Sequence, residues 1–260
     1  MRRVLPQNEC ETTFCGSPCF VQEVEMKILV NSLCKQGGRD YNQDYVAYDA
    51  TEKDACLVVC DGLGSYVGSE VASRLCATKI VETYKLVKES TDGLTRAFLP
   101  DVVKAYFQTA HNYVVGFKEQ NPTIRSSCTT VAAVVTNLTG TVIAHIGDTR
   151  AYIIRDGKIL FQTRDHSLAR AAVDMGQIPL AQIRNHKDQN KLTRVLGSDY
   201  YIAPDCEIIP ESLRPGDGIV ICSDGFWEYV YDEEMEVDFL TSSTPSEYIA
   251  RMEGRLLQRV

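Results

Sequence analysis

Two apolar runs in this chain stop at the same dipeptide: "LVVCDG" at Asp61–Gly62 and "IVICSDG" at Asp224–Gly225. A third carboxylate, Asp148, follows the run "TVIAHI" in "IGDTR", and a fourth, Asp44, closes "RDYNQD". Carboxylates at strand ends can converge on one rim of a sheet. Gathered there, they repel one another unless a cation sits among them. Hard oxygen ligands suit Mg²⁺ or Mn²⁺. A bare glycine such as Gly62 lets a backbone carbonyl or a water approach the ion. The chemistry on offer is that of a divalent-metal site. Each signal is weak alone, since an isolated Asp-Gly is most often a turn. The information lies in the order and context of all four.

Carboxylates so far apart in the chain meet only if rigid elements carry them. Residues 27–34 ("KILVNSLC") and 55–60 ("ACLVVC") read as strands, short, apolar and bounded by Gly and Asp. After the glycines, "SEVASRLCATKIVETYKLVKES" reads as a helix, with Val71, Leu75, Ile80 and Tyr84 near one face. A second helix is expected from about Pro100 to Lys118. There Val103, Phe107, Ala110, Val114 and Phe117 recur at steps of four and three, and proline is tolerated in a first turn. Then the period shortens. "CTTVAAVVT", "TVIAHIGD", "RAYIIRD" and "KILFQTR" read as four strands of an antiparallel meander, with "NLTG" and "RDGK" as turns. Residues 167–197 turn helical and polar, and "GIVICS" (218–223) is another short buried strand. "TPSEYIARMEGRLLQRV" is a helix with Thr244 as N-cap, Pro245 first and Glu247 in capping-box register. The pattern predicts an α+β fold: a central antiparallel β-sandwich flanked by helices on both sides.

The 260 residues are 44% hydrophobic and 24% charged, enough to build a sizeable core in an ordinary soluble protein. The net charge of −8, without a Lys/Arg cluster, argues against a nucleic-acid surface. An acidic protein can still handle phosphate if metal ions supply the positive charge. No apolar run reaches the roughly 18 residues of a membrane span, and "MRRVLPQNEC" lacks a signal-peptide core, so a cytoplasmic location is expected. Seven of the ten cysteines scatter along the domain, several inside apolar runs, where cysteine behaves as a small hydrophobe. The other three, Cys10, Cys15 and Cys19, lack a fourth ligand and a familiar metal spacing. Residues 1–25 are expected to be a disordered extension, with the domain spanning 26–260.

At this point the sequence resembles the metal-dependent protein phosphatases of type 2C, its bacterial branch above all. The matching stretches are "GGRDYNQD", "VVCDGLGSYVGSEVAS", "SSCTTVAAVV", "IAHIGDTRAYIIRDGKI", "TRDHSLAR", "GQIPLAQIRNHKDQNKLTRVLG" and "PGDGIVICSDGFWEYV", in the family's order and at about its spacings. The resemblance implies hydrolysis of phosphoserine and phosphothreonine by water activated at a binuclear centre, with two or three Mn²⁺ or Mg²⁺ ions. Asp61 would bridge the two metals, the Gly62 carbonyl would bind one and Asp224 the other. Asp44 would bind an ion directly or stand just behind its ligands, orienting the waters of the ions, and Asp148 would help hold a third, weaker metal. Arg39 would clamp the substrate phosphate with its planar fork. Residues 167–191 would form a flap that influences substrate choice. The partners implied are phosphorylated proteins, substrates of a Ser/Thr kinase, and the chain is expected to be a monomer without nucleic acid or membrane.

Bland readings stand beside these. Arg39 could be a solvated loop arginine, and Asp148 could cap its own turn. Asp165 or Ser167 is expected to N-cap the helix in "RDHSLARAA". Trp227 reads as core, and His145 as a hydrogen-bonded structural histidine. The chain also departs from the family. Gln43 stands where many members carry glutamate, and Leu63 replaces a histidine of eukaryotic relatives. The family's later Asp-Asn-x-Thr motif and final strand do not occur before Val260. That departure sets a weaker metal site and a gap in a sheet as expectations, and motivates the alternative of a non-catalytic phosphatase-like binding domain. A haloacid-dehalogenase reading is set aside, because Leu63 occupies the place of its second aspartate.

Overall fold

The computed structural model describes residues 27–64, 66–90, 99–137, 140–199, 202–210 and 213–260. Two antiparallel sheets stack face to face. The first holds β1 (Asp44–Ala50), β2 (Asp54–Asp61), β3 (Val131–Asn137), β4 (Thr141–Ile146) and β7 (Asp205–Ile209), in that order. The second orders β6 (Lys158–Gln162), β5 (Arg150–Arg155) and β8 (Gly218–Cys222). Alternation sends one face of each strand inward. Val134 and Ile143 of the first sheet meet Ala151 and Ile153 of the second to form the middle layer.

Helices close both outer faces. α1 (Ser69–Lys88) and α2 (Pro100–Gln120) bury Ile80, Tyr84, Phe107 and Val114 against Cys56, Val58 and Val135 of the first sheet. Each of Ile80, Phe107 and Val114 contributes about 1.5–3 kcal/mol by leaving water. Behind the second sheet, Trp227, Met235, Tyr248 and Met252 pack on Tyr152 and Ile154. The α-β-β-α layering is the architecture expected from sequence. The expected extension over residues 1–25, with Cys10, Cys15 and Cys19, lies outside the described residues.

Three expectations change. Residues 27–34 form no strand; the segment is mostly exposed, and Ile28 N–H donates to Glu52 O at 2.9 Å. It runs along a cavity of about 1800 Å³ that opens between the sheets beside β1 and β8. The four-strand meander is instead two hairpins in different sheets. β3 pairs β4 and β5 pairs β6, and the chain crosses from sheet to sheet between β4 and β5. Gly147 makes the crossing at φ +98°, and a side chain there would meet Thr130 Cγ2 at 2.5 Å. Finally, β1 and β7 supply strands that the apolar-run criterion passes over, because both carry Asp or Glu among their apolar residues.

The last helices are pinned by an ion cluster. Arg255 Nη1 and Arg259 Nη2 donate to Glu234 Oε1 at 2.9 and 2.6 Å, joining α5 (Asp232–Thr241) to α6 (Pro245–Leu257) and its end. Thr244 caps α6 through the Glu247 amide, and Glu247 reaches back to the Ser243 amide. Arg259 and the Tyr231 amide hold the Glu234 carboxyl down at about 2, against an ordinary 4.5. A depressed carboxyl contributes stability that is present above pH 4.5 and lost as pH falls toward 2. Solvent screening limits the cluster to about 1 kcal/mol. Glu234→Gln should therefore lower Tm at pH 7 by about 2–4 °C. Calorimetry as a function of pH should show the two proteins converging as acid protonates Glu234.

Candidate metal centre

The sheet crossing and two strand ends bring four carboxylates to one rim. Asp44 opens β1 and lies across the ladder from Asp61, the last residue of β2. Asp148 follows the Gly147 crossing. Asp224 opens α4 (Asp224–Trp227), two residues beyond the end of β8. The Asp61 carboxyl is within hydrogen-bond reach of both Asp44 and Asp224. Ser223 Oγ donates to Asp44 Oδ2 at 2.7 Å. Arg39, Asp44, Asp61, Gly62, Asp148 and Asp224 all line the cavity at this rim.

Burial pushes the Asp61 carboxyl well above the usual carboxylate range, and the charges of Asp224, Asp44 and Asp148 push it further. Asp148 is raised by burial and then by Asp224 and Asp165. Asp44 is raised by burial, with Ser223 and Asp61 partly offsetting it. Such crowding of like charges is what a bound cation relieves. The donors are all oxygen, the set that Mn²⁺ and Mg²⁺ take. Gly62 supplies a second sign of fit. A Cβ there would lie 2.5 Å from Ser69 O and 2.9 Å from Gln43 O, so the backbone is left bare beside the carboxylates.

The remaining candidates resolve as follows. Arg39 is exposed, its guanidinium lies against Gly64, and its charge reaches Asp44 and Glu228. Gln43 is buried with Nε2 unpartnered, its backbone carbonyl taken by Ser73 Oγ at 2.6 Å. Ser167 is the N-cap of α3 (Leu168–Asp174), accepting from the Arg170 amide. Asp165 instead forms a buried two-point ion pair with Arg150, at 2.7 and 2.6 Å. Trp227 is core, as expected, but also works at the site. Its ring stacks on the Arg150 guanidinium at 3.5 Å, and its Nε1 donates to Asp148 O at 2.8 Å.

Sequence reasoning missed Glu228, on the turn after α4. Burial, then Asp224, pushes its carboxyl up to about 7. Gln189 Nε2 donates to it at 2.8 Å, and Arg184 Nη2 to Asp232 at 2.6 Å. The 167–191 segment is thus tied to the turn that follows the Asp224 helix and to the start of α5. The one available signal, Glu228 four residues after Asp224, is too common to single it out.

An α-β-β-α sandwich with an all-oxygen carboxylate cluster at its rim defines a class of divalent-metal protein. The chain belongs to the protein phosphatase 2C family, whose profile matches residues 36–257. The serine/threonine phosphatase stp of Listeria innocua is 27% identical over 210 residues, 80% of this chain and 81% of that protein. The serine/threonine phosphatase Stp1 of Staphylococcus aureus shares the fold, with a TM-score of 0.77 over 87% of each chain at 24% identity. The catalytic domain of the phosphatase PstP, solved with two manganese ions, matches at a TM-score of 0.69 and 25% identity, over 85% of this chain and 86% of that one. No helix among the described residues is long and apolar enough to cross a membrane.

Proposed function

We propose that the chain is a Mn²⁺- or Mg²⁺-dependent phosphatase that hydrolyses phosphoserine and phosphothreonine in proteins, opposing a serine/threonine kinase as a cytoplasmic monomer. The observation that carries this reading is the meeting of Asp44, Asp61, Asp148 and Asp224, from four distant segments, around a glycine cradle. Asp61, the Gly62 carbonyl and Asp224 would hold the core ions, and Asp148 would help hold a third, weaker one. When bound, the ions supply Lewis acidity, which makes water a nucleophile near neutral pH and offsets the phosphoryl charge. Asp44, fixed by Ser223, orients the attacking water. Arg39, on the exposed lip, takes two phosphate oxygens at once. The ties from Gln189 to Glu228 and from Arg184 to Asp232 join the 167–191 flap to the chain just after Asp224, which supports a role for it in choosing the peptide.

The test is phosphate release from a phosphothreonine peptide. Turnover should need Mn²⁺ or Mg²⁺ and stop in excess chelator; turnover that continued in chelator would overturn the mechanism. Arg39→Ala should lower kcat/KM by about a hundredfold, chiefly through KM, as expected for loss of a bidentate charge-assisted contact. Arg39→Lys should recover only part of it, because an ammonium lacks the fork.

A further inference from the structure

His145, His166 and Asp205 bring candidate ligand atoms within 4.8 Å of one another, the grouping among the described residues that most resembles a second metal site. Its hydrogen bonds point elsewhere. The Gly147 amide donates to His166 Nδ1 at 3.1 Å. A backbone amide can only donate, so Nδ1 offers its lone pair and the neutral ring carries its proton on Nε2. That proton faces Asp205 Oδ2 at 3.1 Å; Arg194 Nη1 also lies 3.2 Å from Nε2 but donates its short hydrogen bond to Asp205 Oδ1, at 2.6 Å. A metal ion on Nε2 would require a ring stripped of both protons. The ring is also stacked on His145, with centroids 4.6 Å apart, and His145 Nε2 is held by Arg164 O at 2.8 Å.

What His166 does grip is Gly147. Its own amide donates to Gly147 O at 2.9 Å, while its ring accepts from Gly147 N. One residue thus holds both polar groups of the glycine at the crossing. Thr130 closes the third side, with Cγ2 2.5 Å from where a Cβ would sit. Immediately downstream, Trp227 holds the Asp148 carbonyl, and Trp227 is backed by Arg150 and Asp165, the neighbour of His166.

We propose that His166 is a positioning residue: its Nδ1 lone pair fixes the Gly147–Asp148 turn and thereby aims the Asp148 carboxylate at the metal centre. The proposal rests on the assignment of Asp148 to the third metal. Burial keeps the ring on the neutral side, which leaves that lone pair available. Asp205 and Arg194, paired at 2.6 Å, orient the opposite edge of the ring. The Asp205 carboxylate fixes the tautomer, as carboxylates do for histidines that act through one nitrogen, and Arg194 holds Asp205 in place.

The tests use the full chain. In the wild type, nitrogen-detected NMR of the metal-free protein should show His166 protonated at Nε2 alone; a proton on Nδ1 would overturn the proposal without any variant. His166→Phe keeps the ring and removes the acceptor. It should speed amide exchange at Gly147 about tenfold or more, and raise the Mn²⁺ concentration for half-maximal activity by about 10–100-fold. His166→Asn, which places an oxygen acceptor near the Nδ1 position, should recover most of both effects. Failure of asparagine to rescue, or unchanged Gly147 exchange in His166→Phe, would overturn it. Asp148→Asn is the reference. If that variant leaves the Mn²⁺ dependence unchanged while His166→Phe still loosens Gly147, the metal assignment of Asp148 fails, and with it the positioning role.

Discussion

Asp61→Asn should remove metal-dependent hydrolysis and, in the same protein, raise the melting temperature of the metal-free state. The two effects share one cause. In the metal-free chain, the Asp61 carboxyl is buried beside Asp44, Asp148 and Asp224, and all three push its pKa up. Charge held there without a cation costs stability. Asparagine is nearly the same shape, carries no charge and can donate to the Asp44 and Asp224 carboxylates. The metal-free variant should therefore melt several degrees higher than the wild type. With Mn²⁺ the order reverses, because the wild type gains binding free energy that the variant cannot collect. Activity should fall by about a thousandfold or more, roughly 4 kcal/mol of lost transition-state stabilisation. Scanning calorimetry with and without Mn²⁺, beside a turnover assay, reads all three. A variant within tenfold of wild-type activity would remove Asp61 from the centre. A lower metal-free Tm would mean that the crowded carboxylate is not under strain.

Arg150→Met should be the most destabilising single change behind the site. Arg150 and Asp165 form their ion pair with both side chains only 3% exposed. Removing one partner leaves a buried charge without compensation, a loss of about 3–5 kcal/mol. In a domain of this size that corresponds to a Tm drop of about 10 °C. Replacing both partners, Arg150→Met with Asp165→Leu, should recover most of the loss, since an apolar pair of similar volume is about as stable as a buried ion pair. Urea denaturation of the two singles and the double closes the cycle. If the double variant were the sum of the singles, the two residues would not be acting as a pair.

The legible parts of this molecule are those with local causes. Asp61 and Asp224 stand out because each follows a short apolar run and precedes glycine, Asp61 as the last residue of β2 and Asp224 two residues beyond β8, and the structure brings their carboxyls together. The long helices show through their spacing, and Thr244 through its cap. Non-local causes stay hidden. Asp165 reads as a helix cap because its neighbours are helical, whereas its partner Arg150 lies 15 residues upstream on a strand. The meander reading fails at Gly147, because hydrophobic alternation is the same whether the next strand joins the same sheet or the facing one. Glu228 becomes notable only once Gln189 and Asp224 surround it. Asp44 shows through the family's motif rather than its own strand, which mixes polar and apolar positions.

The chain passes from one sheet to the other at Gly147, one residue before Asp148. The layers of a sandwich hold their relative position by interdigitated side chains rather than by directional bonds, as Val134 and Ile143 do against Ala151 and Ile153. Here the suture between the layers is also where a charged group is presented. A shift of one sheet against the other would act on the Asp148 carboxylate directly, through this single turn. The molecule is built so that its chemistry is the more fragile property and its scaffold the more durable one.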